Sequence, residues 1–243
     1  MGNSIEAKRY IIKTADEDLT RQLRYQIEEN KKSSLLTCDE WPIYGSRIES
    51  YENDFGPVLD GISISSFVKQ KSAPVVIDLM SPSDTLASLF MKISDRPKLG
   101  IALSYKDKRD KDQLRRDENS NIKQLTGDIL ELETWEKIEE TLDGKKADLI
   151  MERALRGKHY VTPDIRIHAV LLNKAWKLLS NDHGMLLAEI PSQRYDPALS
   201  EKKITLLDWV SFVKEKNVGV NFDWVALRLI KTPNSPQNLP FLE

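Results

Sequence analysis

Only one of the 243 residues is a cysteine, Cys38, so no disulfide can form within the chain and a cysteine-rich zinc site is excluded. Histidine is nearly as scarce: His159, His168 and His183 are far apart and match no metal-ligand spacing, so no metal site is expected. Charge of one sign is lacking too, since 36 Lys and Arg face 38 Asp and Glu, a net charge of −2. A nucleic-acid partner is therefore not expected, because phosphate affinity grows with the cations presented. No apolar run approaches the roughly 20 residues that cross a bilayer. The start, Met1-Gly2-Asn3-Ser4-Ile5-Glu6, has no apolar signal core, and Glu6 occupies the place where a myristoylation motif needs Ser or Thr. A cytoplasmic protein without a membrane partner is the expectation.

What is present is a globular composition, 40% hydrophobic and 30% charged, with enough length for one large core or for a core plus a small accessory lobe. The first seventy residues stand apart. Between Asp16 and Lys32, Leu19, Leu23 and Ile27 recur every four residues, which predicts a helix with a narrow apolar stripe. Gly45, Gly56, Pro42 and Pro57 then predict an irregular stretch from Asp39 to Gly61, followed by a short helix over Ile62–Gln70. Residues 1–70 are read as an N-terminal helical and loop cap, and residues 71–243 as the main domain.

From Ala73 the pattern alternates between strand and helix. Pro74–Leu79, Leu99–Leu103, Ile122–Gly127, Ala147–Met151 and Met185–Ile190 are short apolar runs suited to a parallel sheet buried on both faces. Helices are predicted over Thr85–Ile93, Thr134–Leu142, Pro163–Leu179 and Leu206–Lys216. The charged run Lys106–Asn119 reads as a solvated helix or loop. Gly219–Val220 and Val225–Ile230 predict a closing hairpin, and Thr232–Glu243, with three prolines, a loose tail. The fold class is α/β: a doubly wound, mostly parallel seven-stranded sheet with a terminal antiparallel hairpin. In such sheets ligands bind at the carboxyl ends of the strands, where strand order reverses.

From about residue 73 to 231 the chain resembles the class I S-adenosylmethionine-dependent methyltransferases, a Rossmann-like superfamily. Val76-Ile77-Asp78-Leu79 is similar to the family's first strand and its acidic residue. Gly100–Ser104 is similar to its second strand, and Gly127-Asp128-Ile129 to the element whose Asp faces the adenine amino group. Ala147–Met151 resembles the fourth strand, and Leu178–Leu187 the helix, glycine turn and fifth strand. Two departures stand out. The family's Asp-x-Gly-x-Gly-x-Gly loop is here Asp78-Leu79-Met80-Ser81-Pro82-Ser83-Asp84, with Met80, Pro82 and Asp84 at the glycine positions. The acid that the family places at the end of the second strand, for the ribose, is replaced by Ala102; Met80→Gly with Ala102→Asp should tighten binding of S-adenosylmethionine if the pocket is merely weakened and do nothing if it is filled.

The resemblance implies S-adenosylmethionine as cofactor, contacted by Asp78, Met80, Ser81, Ser83, Leu103, Ser104, Asp128, Ile129 and Met151. Each has a plainer reading beside it. Asp78 either meets the cofactor or caps the next helix, Asp84 reads as that helix's N-cap, and Asp128 is also an ordinary turn residue. Glu152 and His159 are the candidate bases, needed only if the methyl acceptor arrives protonated. The favoured reading of Glu152 is an ion pair with Arg153, and that of His159 a surface histidine. Trp41, Tyr44, Tyr51 and Phe55 either line a substrate pocket or anchor the N-terminal segment. The reading is methyl transfer to a small-molecule acceptor. The alternative is a non-catalytic binding or regulatory protein of the same fold, working with a protein partner.

Overall fold

The structure, a computed structural model, describes residues 9–10, 47–93, 98–104, 106–129, 131–153, 165–189, 206–223, 226–239 and 241–242. The helix predicted within residues 16–32 lies outside them, as do Cys38, Trp41, Tyr44, His159 and Tyr160.

Strand β1 (Arg9–Tyr10) precedes helix α1 (Ile48–Phe55), a 3-10 turn at Gly56–Val58 and helix α2 (Ile64–Lys69). Alternation then begins: β2 (Val75–Leu79), α3 (Asp84–Lys92), β3 (Leu99–Ser104), α4 (Lys111–Asn119), β4 (Ile122–Thr126), α5 (Leu132–Leu142), β5 (Leu149–Glu152), α6 (Ile165–Leu178) and β6 (Gly184–Glu189). Helix α7 (Leu206–Lys214) leads into β7 (Gly219–Asp223) and β8 (Ala226–Lys231), and β9 (Phe241–Leu242) pairs antiparallel with β1. The main sheet has the order β4-β3-β2-β5-β6-β8-β7. Strands β2 to β6 run parallel, and β8 enters antiparallel between β6 and β7.

All five residues of β2 are buried, which is why its sequence is continuously apolar except for Asp78. Alternate side chains point to opposite faces. One face carries Ile77, Leu79, Ile101, Leu103 and Ile150, packed with Trp135, Ile138, Leu171 and Trp176 of α5 and α6. The other carries Val76, Ala102, Leu149 and Met151, packed with Ile48, Tyr51 and Phe55 of α1 and Leu86 and Phe90 of α3. Helices therefore cover both faces, as the alternation predicts.

Three expectations change. The stretch 39–61 is not irregular throughout: Gly56 and Pro57 end α1 instead of abolishing it, and Ile48, Tyr51 and Phe55 form its buried face at helical spacing. The tail is not loose. Leu239 is buried and donates its N–H to Asn173 Oδ1 at 2.9 Å, while Trp176 Nε1 donates to the Pro236 carbonyl at 2.9 Å. The charged run 106–119 is only partly solvated, because α4 opens with a capping box of Asp110 and Gln113 yet buries Asp117.

Candidate functional site

The chain leaves β2 for β3 on one side of the sheet and later returns to place β5 on the other. The order therefore reverses between β2 and β5, whose last paired residues are Leu79 and Glu152. Their carboxyl ends define the crevice where a doubly wound sheet takes its ligand.

The turn after β2 bends sharply at Met80, whose φ is +71°. That left-handed backbone suits glycine, and an L side chain pays roughly 1 kcal/mol to adopt it. Met80 offsets this by packing its half-buried side chain against the core. Ser81 donates its N–H to the Leu103 carbonyl at 2.8 Å, which fixes the turn beside β3. Ser83, not Asp84, is the N-cap of α3, and it caps with backbone alone. Asp84 is the first helical residue and forms an ion pair with Arg116 at 2.6 Å, while Arg116 Nη2 donates to Ser83 Oγ at 3.1 Å. The negative charge of Asp84 is thus paired by a cation of α4.

At the end of β3, Ala102 has no exposed surface and Leu103 is a core residue. Ser104 is half-buried; its hydroxyl donates to the Lys106 carbonyl at 2.8 Å and accepts from Gln124 Nε2 at 2.9 Å. The N–H of Gly127 donates to the Ser104 carbonyl at 3.1 Å, so the ends of β3 and β4 lie together. Asp128 is half-buried, whereas Ile129 is buried and its carbonyl accepts from Trp135 Nε1 at 2.8 Å. Glycine is required at 127 because a Cβ there would lie 2.3 Å from Thr134 Oγ1 and 3.2 Å from its Cβ. Gly127→Ala is expected to cost about 1–3 kcal/mol, the range for overpacking. Thr134→Ala should recover most of that loss in a double-mutant cycle read by urea denaturation.

At the end of β5, Met151 is wholly buried in the face shared with α1. Glu152 is buried too, and its register with Leu79 and Ala188 puts it on the opposite face. Arg153 turns toward α1. It forms an ion pair with Asp54, donates to Ser50 Oγ at 2.9 Å and stacks over the Tyr51 ring at 4.7 Å. Tyr51 donates its hydroxyl to Asp78 Oδ1 at 3.1 Å. Tyr51 and Phe55 are therefore anchors of α1 on the sheet, the plainer of their two readings.

In sheet numbering, with β2 as the first strand, the order is 3-2-1-4-5-7-6 with the seventh strand antiparallel. The chain has the class I methyltransferase fold. No protein-family model matches the chain, and no curated protein matches it. Among solved structures it is similar to an O-methyltransferase from Bacillus cereus in complex with SAH, at 13% identity over 87% of this chain and 91% of that one, TM-score 0.47. It is similar to a methyltransferase from Geobacter sulfurreducens at 11% identity over 85% and 96%, TM-score 0.41. It is also similar to Aeropyrum pernix fibrillarin with natively bound S-adenosyl-L-methionine, at 14% identity over 66% of each chain, TM-score 0.40. The fold itself stands on the strand order.

Asp78 is the electrostatic singularity of the site. It has no exposed surface, and its Oδ2 has no hydrogen-bond partner among the described residues. Burial pushes its pKa up to about 8, against the opposing pull of the Tyr51 and Ser81 hydroxyls and the Arg153 charge. Tyr51 is likewise pushed well above the usual phenol value, by burial first and by Asp78 second. Burial thus favours the protonated, neutral form of Asp78.

The structure brings Asp78, Ser81 and Ser83 together at one turn, and Ser104 and Asp128 together at the neighbouring strand ends. His159 lies outside the described residues. Sequence reasoning missed the roles of Arg116 and Asp117, read only as part of a charged run, and of Arg153, read as a partner of Glu152 and not of Asp54, Ser50 and Tyr51. No group of three or more potential metal ligands occurs among the described residues, nor is any described helix long and apolar enough to cross a membrane.

Proposed function

We propose that the chain binds S-adenosylmethionine across the carboxyl ends of β2 to β5 and transfers its methyl group to a small-molecule acceptor. The observation that carries this reading is the left-handed turn at Met80, set on the switch point between β2 and β5. Such a bend is one that glycine makes readily, and the resemblance puts a glycine at this position. The donor set fits the cofactor: Ser104 and Asp128 put a hydroxyl and a carboxylate, both half-buried, at adjacent strand ends.

In this reading Asp128 accepts the adenine amino N–H and Ser104 meets a ribose hydroxyl. Met80, Ser81 and Ser83 form the turn under the methionine portion. Leu103 and Ile129 back the site with apolar packing, and Met151, without exposed surface, makes no ligand contact. Asp78, lacking exposed surface, supports the turn from behind and makes no ligand contact. The cofactor, when bound, supplies an electrophilic methyl on sulfonium sulfur. The chain's own task is to align and desolvate the acceptor. Glu152 takes a proton from the acceptor or pairs with its cation, with His159 the second candidate base. A cytoplasmic setting belongs to the same proposal.

A second reading is a non-catalytic protein of this fold that acts through a protein partner. Its support is specific: Met80 and Pro82 stand at glycine positions of the loop, and β3 ends in Ser104 with no acid there. Titration calorimetry with S-adenosylmethionine and S-adenosylhomocysteine, with NAD as control, separates the two. Micromolar binding of the adenosyl ligands alone is expected. Saturating ligand at 100 times its dissociation constant should also stabilise the fold by about 2.7 kcal/mol. No binding at millimolar ligand would sink the first reading and leave the second.

A further inference from the structure

Asp117 is a charged side chain only 1% exposed, in a segment whose composition reads as surface. It holds two guanidinium groups. Arg109 Nη1 donates to its Oδ2 at 3.0 Å, and Arg116 donates to its Oδ1 through Nε at 3.1 Å and Nη2 at 2.9 Å. Each arginine then reaches a different loop. Arg109 makes a fork with Asp107, at 2.9 and 2.7 Å, in the segment that follows β3. Arg116 pairs with Asp84 at 2.6 Å and Ser83 at 3.1 Å, at the end of the turn that follows β2. Gln113 Nε2 adds a bond to Asp84 at 3.1 Å.

We propose that Asp117 is a positioning residue that clamps these two loops to each other, so that the turn at residues 80–84 and the segment at residues 106–110 hold one arrangement. This rests on the reading that the two loops flank the ligand. The physical ground is that forked guanidinium–carboxylate bonds fix direction as well as distance. A carboxylate this buried is retained only when its oxygens are satisfied, and both arginines are needed for that. In the family's loop, glycines let the backbone approach the ligand. Here side chains from α4 set the loop's position, which explains how Asp84 is accommodated at a glycine position.

Amide hydrogen exchange on the ligand-free protein tests this without any ligand. Asp117→Asn should accelerate exchange at least tenfold in both 80–87 and 106–113, with 148–153 of the sheet centre unchanged. Arg116→Gln should accelerate 80–87 alone, and Arg116→Lys, which keeps the charge, should recover part of the protection. Should Asp117→Asn fail to fold, Asp84→Asn serves in its place and should loosen 80–87 only. Acceleration spread evenly over the sheet, or confined to one loop in Asp117→Asn, or absent, overturns the proposal. As a second readout, Asp117→Asn should weaken S-adenosylhomocysteine binding about tenfold. If the parent protein binds no adenosyl ligand, the functional reading fails while the exchange data still decide the clamp.

Discussion

Replacing Ala102 with aspartate is expected to unfold the domain or cost it about 3–5 kcal/mol, the price of an uncompensated buried charge. Ala102 has no exposed surface and packs in the core between the sheet and α1–α3. It is paired in register with Asp78, so the two side chains project to the same face from neighbouring strands. A second carboxylate would therefore meet Asp78 in a dry interior. Sequence comparison alone suggests the opposite outcome, that an acid at 102 restores a ribose contact and tightens binding. The structure corrects this: β3 runs on to Ser104, and position 102 lies inside the sheet. Circular dichroism melts of Ala102→Asp beside Ala102→Ser check it. A melting temperature for Ala102→Asp within a few degrees of the parent would show that the position is not interior.

The second large effect is the pH dependence contributed by Asp78. Its folded pKa of about 8 stands above the ordinary carboxylate value of 3.8. The folded state therefore binds more protons than the unfolded state between those values, and stability falls as pH rises. The contribution is full below about pH 4 and is lost as pH climbs through 8, with a slope approaching 1.4 kcal/mol per pH unit between about pH 5 and 7. Asp78→Asn keeps the shape and removes the ionisation. It should erase this slope and be more stable than the parent at pH 8 by roughly 5 kcal/mol. Urea denaturation at pH 5, 6, 7 and 8 measures it. Parallel pH curves for the two proteins would mean that Asp78 titrates normally and that its burial is not as described. Lys231, capping the end of α6 through the Trp176 carbonyl at 2.8 Å, acts with the opposite sign at higher pH. Burial lowers its pKa to about 8, so its contribution to stability grows above that pH.

The sheet was legible because a strand buried on both faces is apolar along its length, as Val75–Leu79 and Leu99–Ser104 are but for Asp78 and Ser104. The hairpin was legible in outline, although β7 runs to Asp223, three residues beyond the expected Val220. Helix α1 was not, because Gly56 and Pro57 drew attention to a break while the spacing of Ile48, Tyr51 and Phe55 went uncounted. Asp117 was illegible for a different reason. In a run of alternating charges nothing local distinguishes the one carboxylate that tertiary packing will bury. The docked tail shows the same limit, since the partners of Leu239 and Pro236 lie about 60 residues away at Asn173 and Trp176. At the candidate site, sequence located the turn, the Gly127-Asp128 element and the end of β5. It did not show that Asp78 lies behind the turn or that α1 seals it there, because both facts depend on contacts between distant segments.

The position of the ligand is the central claim, and a hydrogen-exchange footprint with S-adenosylhomocysteine tests it most directly. Saturating ligand should protect amides at 80–84, 103–104 and 127–129, at the carboxyl edge, and leave the opposite edge at 143–148 and 181–184 unchanged. Protection at that opposite edge, or binding without protection at 80–84, would contradict the placement of the site at the β2–β5 switch point.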